Sequence, residues 1–226
     1  MALPSADDTS STVIRSARFS VSRTKANTKT KGHAKGVGDA LAHLLSAVAR
    51  RNDADDATLE ADALHDFTLE TLEDALGRFQ ARVIGFEEVK NGPHLKRIFQ
   101  KPLSTLVVTP KSQQAEVFGG ILKRAEAAES PAEIKKAVKE YGLAVKDLLG
   151  SHKAVESAQA LFAEAQKKEQ TAKKAVVVAM IRIQGQLLDL FAEDRTRVAR
   201  FFLKGAKPAK PAVKKGGTPA PTPPTP

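Results

Sequence analysis

The 226-residue chain is 42% hydrophobic, only 5% aromatic, lacks Trp and Cys, and carries a net charge of +10. Disulfide frameworks and thiolate metal sites are thereby excluded, and no apolar run approaches the roughly 20 residues that cross a bilayer as a helix. Ala, Leu, Glu, Lys and Val dominate the middle of the chain, a composition that favours helix over sheet.

The charge is unevenly spread. Residues 1–36 hold seven Lys/Arg against two Asp, and residues 37–91 hold five against twelve acids. Residues 92–204 hold twenty against twelve, and 205–226 add four Lys with no acid. Basic ends around a charge-polarised core suit an anionic surface, membrane or nucleic acid; an acidic helix lying along basic ones explains the core charges equally well.

Residues 1–36 are rich in Ser, Thr, Lys and Gly and read as a basic flexible arm. Within it, Ala17, Phe19 and Val21 alternate as in a strand, while Val13, Ile14, Ala17 and Val21 share a helical face. The two periods compete. With Arg15, Arg18 and Arg23 around Phe19, the segment is either a lipid-inserting element or a short docking element.

Residues 37–204 read as a helical coiled-coil domain. A first helix runs from Val37 to Arg51, and Asp53 to Asp56 supply a break and N-cap residues for the next. That second helix carries Leu69, Leu72, Leu76, Phe79, Val83 and Phe86 at 3-4-3-4-3 spacing and ends at Asn91-Gly92-Pro93. Residues 94–109 are irregular, with Leu106-Val107-Val108 readable as a lone strand. Thr109-Pro110 opens a further helix, Ser130-Pro131-Ala132-Glu133 is a capping box, and Gly150-Ser151 offers a joint.

The longest pattern starts at Ile134 and steps by fours and threes through Val138, Tyr141, Val145, Leu148, His152 and Val155. It turns polar at Gln166, Glu169 and Lys173, then apolar again at Val176, Met180, Ile183, Leu187 and Leu190 before ending on Phe201. A 3.5-residue average spacing keeps one stripe facing a partner helix, and residues 151–204 alone would reach roughly 80 Å. Through QKKEQTAKK (166–174) either the helix runs on or the chain reverses with its lysines at a hairpin tip. Residues 205–226 form a Lys/Pro-rich disordered tail, either an electrostatic tether or a solubilising linker.

Catalytic constellations are missing from the sequence. The five histidines lack metal-ligand spacing, there is no HExxH, calcium loop, phosphate-binding lysine loop or GxSxG elbow, and Cys nucleophiles are impossible. His65 and Asp66 diverge around the helix and make no dyad, and His152 reads as a packed or capping residue. We expect no enzyme and no cofactor. Nucleic acid ranks second as partner, because no recognition motif accompanies the basic arms and one Tyr cannot build a stacking platform.

The run Glu140-Tyr141 to Lys146, continued by Glu156 to Lys168, resembles the second helix of BAR domains of the sorting-nexin type. Phe191-Ala-Glu193-Asp194-Arg195 to Phe202 resembles part of their third helix. The resemblance implies an antiparallel dimer of curved coiled coils, short-armed here, whose basic residues face anionic lipid. Lys135, Lys136, Lys139, Lys167, Lys168, Lys173 and Lys174 join Arg15, Arg18, Phe19 and Arg23 as the membrane-facing set.

The sequence therefore predicts an all-α, elongated, antiparallel coiled-coil bundle of BAR type. Leu72, Leu76, Phe79, Val83, Phe86, Val176, Met180, Ile183, Leu187 and Leu190 form its core and dimer stripe. The expected function is a cytoplasmic, peripheral scaffold that binds, senses or shapes anionic membranes as a homodimer. The alternative is a coiled-coil adaptor whose basic ends hold nucleic acid or a protein partner.

Overall fold

A computed structural model describes residues 3–87, 92–128 and 132–203. The fold is all-helical: α1 (Ser10–Lys25), α2 (Ala34–Glu87), α3 (Pro93–Ile98), α4 (Leu103–Val107), α5 (Lys111–Glu126), α6 (Ala132–Leu190) and α7 (Arg195–Ala199), with a 3-10 turn at Lys31–His33. No strand occurs among the described residues. Leu106-Val107-Val108, readable as a lone strand, instead closes α4, which is entered through Pro102, ends at Val107 and is capped by Val108; a single strand has no ladder to satisfy its backbone, whereas a helical turn satisfies its own.

The chain divides into two compact units. Unit 2 spans Ala47–Glu169. Its core places Leu72, Leu76, Phe79 and Val83 of α2 with Ile134, Tyr141, Val145 and Leu148 of α6. Leu95, Ile98, Phe99, Leu106, Phe118 and Ile121 from the shorter helices complete it. The Phe79 ring lies 5.6 Å from Tyr141 and 5.3 Å from Phe99, centroid to centroid. The Tyr141 hydroxyl donates to the Phe118 carbonyl at 3.1 Å, so the ring is buried without stranding its polar tip. Each such side chain, fully buried, stabilises by about 1.5–3 kcal/mol before the entropy of ordering it is subtracted.

The irregular 94–109 stretch is held by one carboxylate. Glu87 accepts from the backbone N–H groups of His94 (2.7 Å) and Leu95 (3.3 Å), donors that the first turn of α3 cannot satisfy itself. Gly92 lies against that carboxylate, and a Cβ there would overlap it. Arg124 Nε donates to the Ile98 carbonyl at 2.9 Å, closing the other end of α3 onto α5.

Unit 1 comprises residues 3–46 and 170–203 of the described chain. Instead of a flexible arm, residues 10–25 form α1, started by the Thr9 hydroxyl accepting from the Thr12 N–H. Val13, Ala17, Ser20 and Thr24, spaced 4-3-4, form its buried face. Two of these are polar, which hides the face from a hydrophobicity count; Thr24 satisfies itself by donating to the Ser20 carbonyl at 2.7 Å. Val37, Leu41 and Leu44 of α2, Val176, Met180, Ile183 and Leu187 of α6, and Val198, Phe201 and Phe202 supply the rest of this unit's interior.

Three interruptions that the sequence left open, at 53–56, 150–151 and 166–174, are absent. α2 continues through Asp53–Asp56, which lacks Gly and Pro, so carboxylates at its surface do not interrupt it. α6 continues through Gly150-Ser151 and through 166–174, so the chain does not reverse there. The Ser130-Pro131 capping box, Asn91 and the tail 205–226 lie outside the described residues. Of the predicted core and dimer stripe, Leu72, Leu76, Phe79, Val83, Val176, Met180, Ile183 and Leu187 are buried within the chain itself. Phe86 and Leu190 sit at helix ends and are 46% and 43% exposed.

Candidate anion-binding surface

Folding concentrates the positive charge in one unit. The described residues of unit 1 contain thirteen Lys/Arg against six Asp/Glu, a balance of +7, whereas unit 2 has seventeen against eighteen, or −1. α1 contributes most plainly: its sixteen residues include Arg15, Arg18, Arg23 and Lys25 and no acid. Because Val13, Ala17, Ser20 and Thr24 point inward, Arg15, Arg18, Ser22 and Lys25 line the opposite, exposed face. Phe19 is half-buried beside it, with the Arg23 guanidinium 5.9 Å from its ring centroid.

At the C-terminal end of α1 lies a cleft of about 280 Å³ lined by Arg23, Ala26, Asn27, Arg197, Arg200 and Phe201. Residues from opposite ends of the chain meet here: Arg23 Nε donates to the Arg200 carbonyl at 3.3 Å. α7 is positioned by Asp194, whose carboxylate accepts from the Arg197 N–H at 2.8 Å. The Arg197 guanidinium stands 4.5 Å over the Phe191 ring, which in turn stacks on Phe201. Among the described residues no carboxylate lines the cleft.

The lysines expected to face a membrane are dispersed. Lys135, Lys136, Lys139, Lys167 and Lys168 are exposed on the unit 2 part of α6, and Lys168 is paired with Glu164 at 2.6 Å. Lys174 is exposed in unit 1. Lys173 is a correction: only 5% exposed, it donates its Nζ to the Asp8 carbonyl at 2.9 Å and is an internal strut, unable to face lipid. Sequence reasoning missed Arg197 and Arg200, read only as the fading end of a heptad stripe. The signal was there, because Arg195, Arg197 and Arg200 follow Asp194 with no further acid in the described chain.

Unit 2 also holds a polar cluster around His65 and Ser151. His65 Nδ1 lies 3.1 Å from Ser151 Oγ, which is 2.7 Å from the Thr68 hydroxyl and donates to the Leu148 carbonyl at 2.9 Å. Both His65 and Ser151 are buried, at 1% and 4% exposure, so the hydroxyl is withheld from solvent and tied to its own helix. The geometry is that of an interhelical link. Among the described residues no His, Asp or Glu cluster has the arrangement of a metal site, and no helix is long and apolar enough to cross a membrane. No family model, curated protein or solved structure matches this chain.

Proposed function

We propose that the protein is a non-enzymatic scaffold that docks unit 1 onto anionic lipid at a cytoplasmic membrane surface, as a BAR-like antiparallel homodimer. The observation that carries this reading is the acid-free, exposed basic face of α1 within a unit of charge +7. Each basic residue held near an anionic leaflet contributes about 1 kcal/mol, so Arg15, Arg18, Lys25 and Lys174, doubled in a dimer, suffice without a deep pocket. Val178, Ile181 and Leu188 add apolar contact: they are 55%, 55% and 36% exposed on α6 in the same unit, beside Lys174 and Arg182. In unit 2, Leu59, Leu64 and Phe67 are 64%, 52% and 65% exposed on α2, an uncovered apolar face suited to a second copy of the chain.

Sedimentation with anionic and neutral vesicles of two diameters tests the reading. Binding to anionic vesicles, stronger on the smaller ones and reduced by Arg15→Glu with Arg18→Glu, is the expected result. Failure to bind any anionic vesicle, with retention of duplex DNA that falls steeply as salt rises, would replace the membrane by nucleic acid.

A further inference from the structure

We propose that the arginine cleft of unit 1 is a discrete receptor for a phosphate monoester dianion, beyond the diffuse attraction of the basic helix face. The inference rests on the anionic-surface reading for one source of the phosphate, and on the cleft alone for its chemistry.

Three arginines line one cleft of about 280 Å³, and no carboxylate lies within ion-pair distance of Arg23, Arg197 or Arg200 among the described residues. Cations gathered this way repel one another and gain when an anion enters. Their donors are partly pre-arranged. Arg23 spends its Nε–H on the Arg200 carbonyl, leaving its terminal nitrogens for a ligand. Arg197 is held over Phe191, so its fork loses less freedom on binding. Asn27 accepts the Lys29 N–H with its Oδ1 at 3.0 Å, which leaves its amide NH₂ as a further donor.

The ligand class follows from donor number. A carboxylate presents two oxygens in one plane and is satisfied by a single guanidinium fork. Three guanidinium groups and an amide from two chain segments exceed that need and match a tetrahedral group with three terminal oxygens. A phosphate monoester near pH 7 carries about −1.5 to −2 charge, which a diester, with two terminal oxygens and one charge, cannot supply. The monoester is either a lipid headgroup or a soluble phosphate ester; the cleft chemistry is the same.

The test uses the full chain and ¹⁵N signals of the arginine side chains. Glycerol 3-phosphate should shift the Arg23, Arg197 and Arg200 signals saturably, while dimethyl phosphate and acetate at matched ionic strength should not. Loss of one charge-assisted contact in Arg197→Ala or Arg200→Ala should weaken glycerol 3-phosphate by about tenfold or more. Arg15→Ala with Arg18→Ala should leave it unchanged. Arg200→Gln and a thermal melt guard against misfolding, since the melt should stay two-state while affinity falls. Equal response to all three anions, no saturable response, or full affinity in both arginine variants would overturn the proposal.

Vesicle arms separate the sources. Phosphatidylcholine vesicles carrying phosphatidylinositol 4-phosphate are compared with phosphatidylserine vesicles of equal surface charge. Preference for the former that Arg197→Ala removes supports the cleft with a lipid source. Glycerol 3-phosphate binding without any vesicle binding supports the cleft with a soluble source, and sinks the scaffold reading alone.

Discussion

Nδ1 of His65 on α2 lies 3.1 Å from Oγ of Ser151 on α6, inside unit 2 and 1% exposed. The other ring nitrogen and Gln114 Oε1 are buried and have no hydrogen-bond partner among the described residues. Burial holds the imidazole below its ordinary pKa of 6.5, helped by the positive charge of Lys111 and by His152, whose ring is 5.7 Å away; Gln114 and Asp66 pull weakly the other way. The neutral ring is therefore the folded form. Above 6.5 both folded and unfolded states are neutral and stability is at its full value. As pH falls below 6.5 the unfolded chain takes up the proton first, so stability declines until the folded ring also titrates. Urea denaturation of the chain should show lower stability in mildly acidic buffer than at neutral pH. His65→Asn should flatten that decline, and an undiminished slope in the variant would assign it to other groups.

Phe79 anchors the aromatic centre of unit 2, between Tyr141 and Phe99. Phe79→Ala leaves a cavity that three helices cannot all close and should cost about 3–5 kcal/mol. Tyr141→Phe keeps the ring and removes only the bond to the Phe118 carbonyl, so about 0.5–1.5 kcal/mol is expected. Chemical denaturation of both variants checks the ratio. A Tyr141→Phe cost as large as that of Phe79→Ala would mean that the hydroxyl, not the ring packing, organises this core.

Gly92 takes an ordinary φ of −68°, so its role is space and not backbone freedom. A Cβ would displace the Glu87 carboxylate. That carboxylate ends a flexible side chain and can swing away, so overlap itself is cheap; what is lost is its pair of bonds to the His94 and Leu95 N–H groups. Gly92→Ala should therefore cost about 0.5–2 kcal/mol, the worth of a helix cap. Glu87→Ala should cost a similar amount, and the double variant little more than either alone. Additive losses would show that the two residues act separately.

These relationships differ in how far the sequence discloses them. The apolar stripes of α2 and α6 were legible because Leu72, Leu76, Phe79 and Val83 repeat at heptad spacing, and the same period set their helical state. Their partner was not legible: a heptad says that a face is covered, and in unit 2 the two stripes cover each other, with α3, α4 and α5 of the same chain completing the core. α1 was hidden by its buried Ser20 and Thr24, whose hydroxyls break the apolar pattern while Thr24 satisfies itself locally. The cleft is a tertiary product, since Arg23 and Arg200 meet across 177 residues of sequence. Lys173 and Lys174 show the limit of composition most directly, being identical neighbours with opposite fates.

Those two lysines also separate folding from binding. Lys173 threads its stem through the interior of unit 1 to reach the Asp8 carbonyl at 2.9 Å, while Lys174 points to solvent. Lys173→Met keeps most of the stem packing and loses the charged bond, so about 1–3 kcal/mol of stability should go. Lys173→Glu buries an anion beside a carbonyl oxygen and should lower stability by several kcal/mol. Lys174→Glu should change stability by no more than about 0.5 kcal/mol, as an exposed site does. Vesicle binding should show the reverse order. Lys174→Glu removes an attractive charge near the bilayer and replaces it with a repulsive one, worth about 2 kcal/mol at most. Lys173→Met, measured where it is fully folded, should bind as the parent does. Weakened binding by folded Lys173→Met with none from Lys174→Glu would move the docking face away from the exposed side of α6.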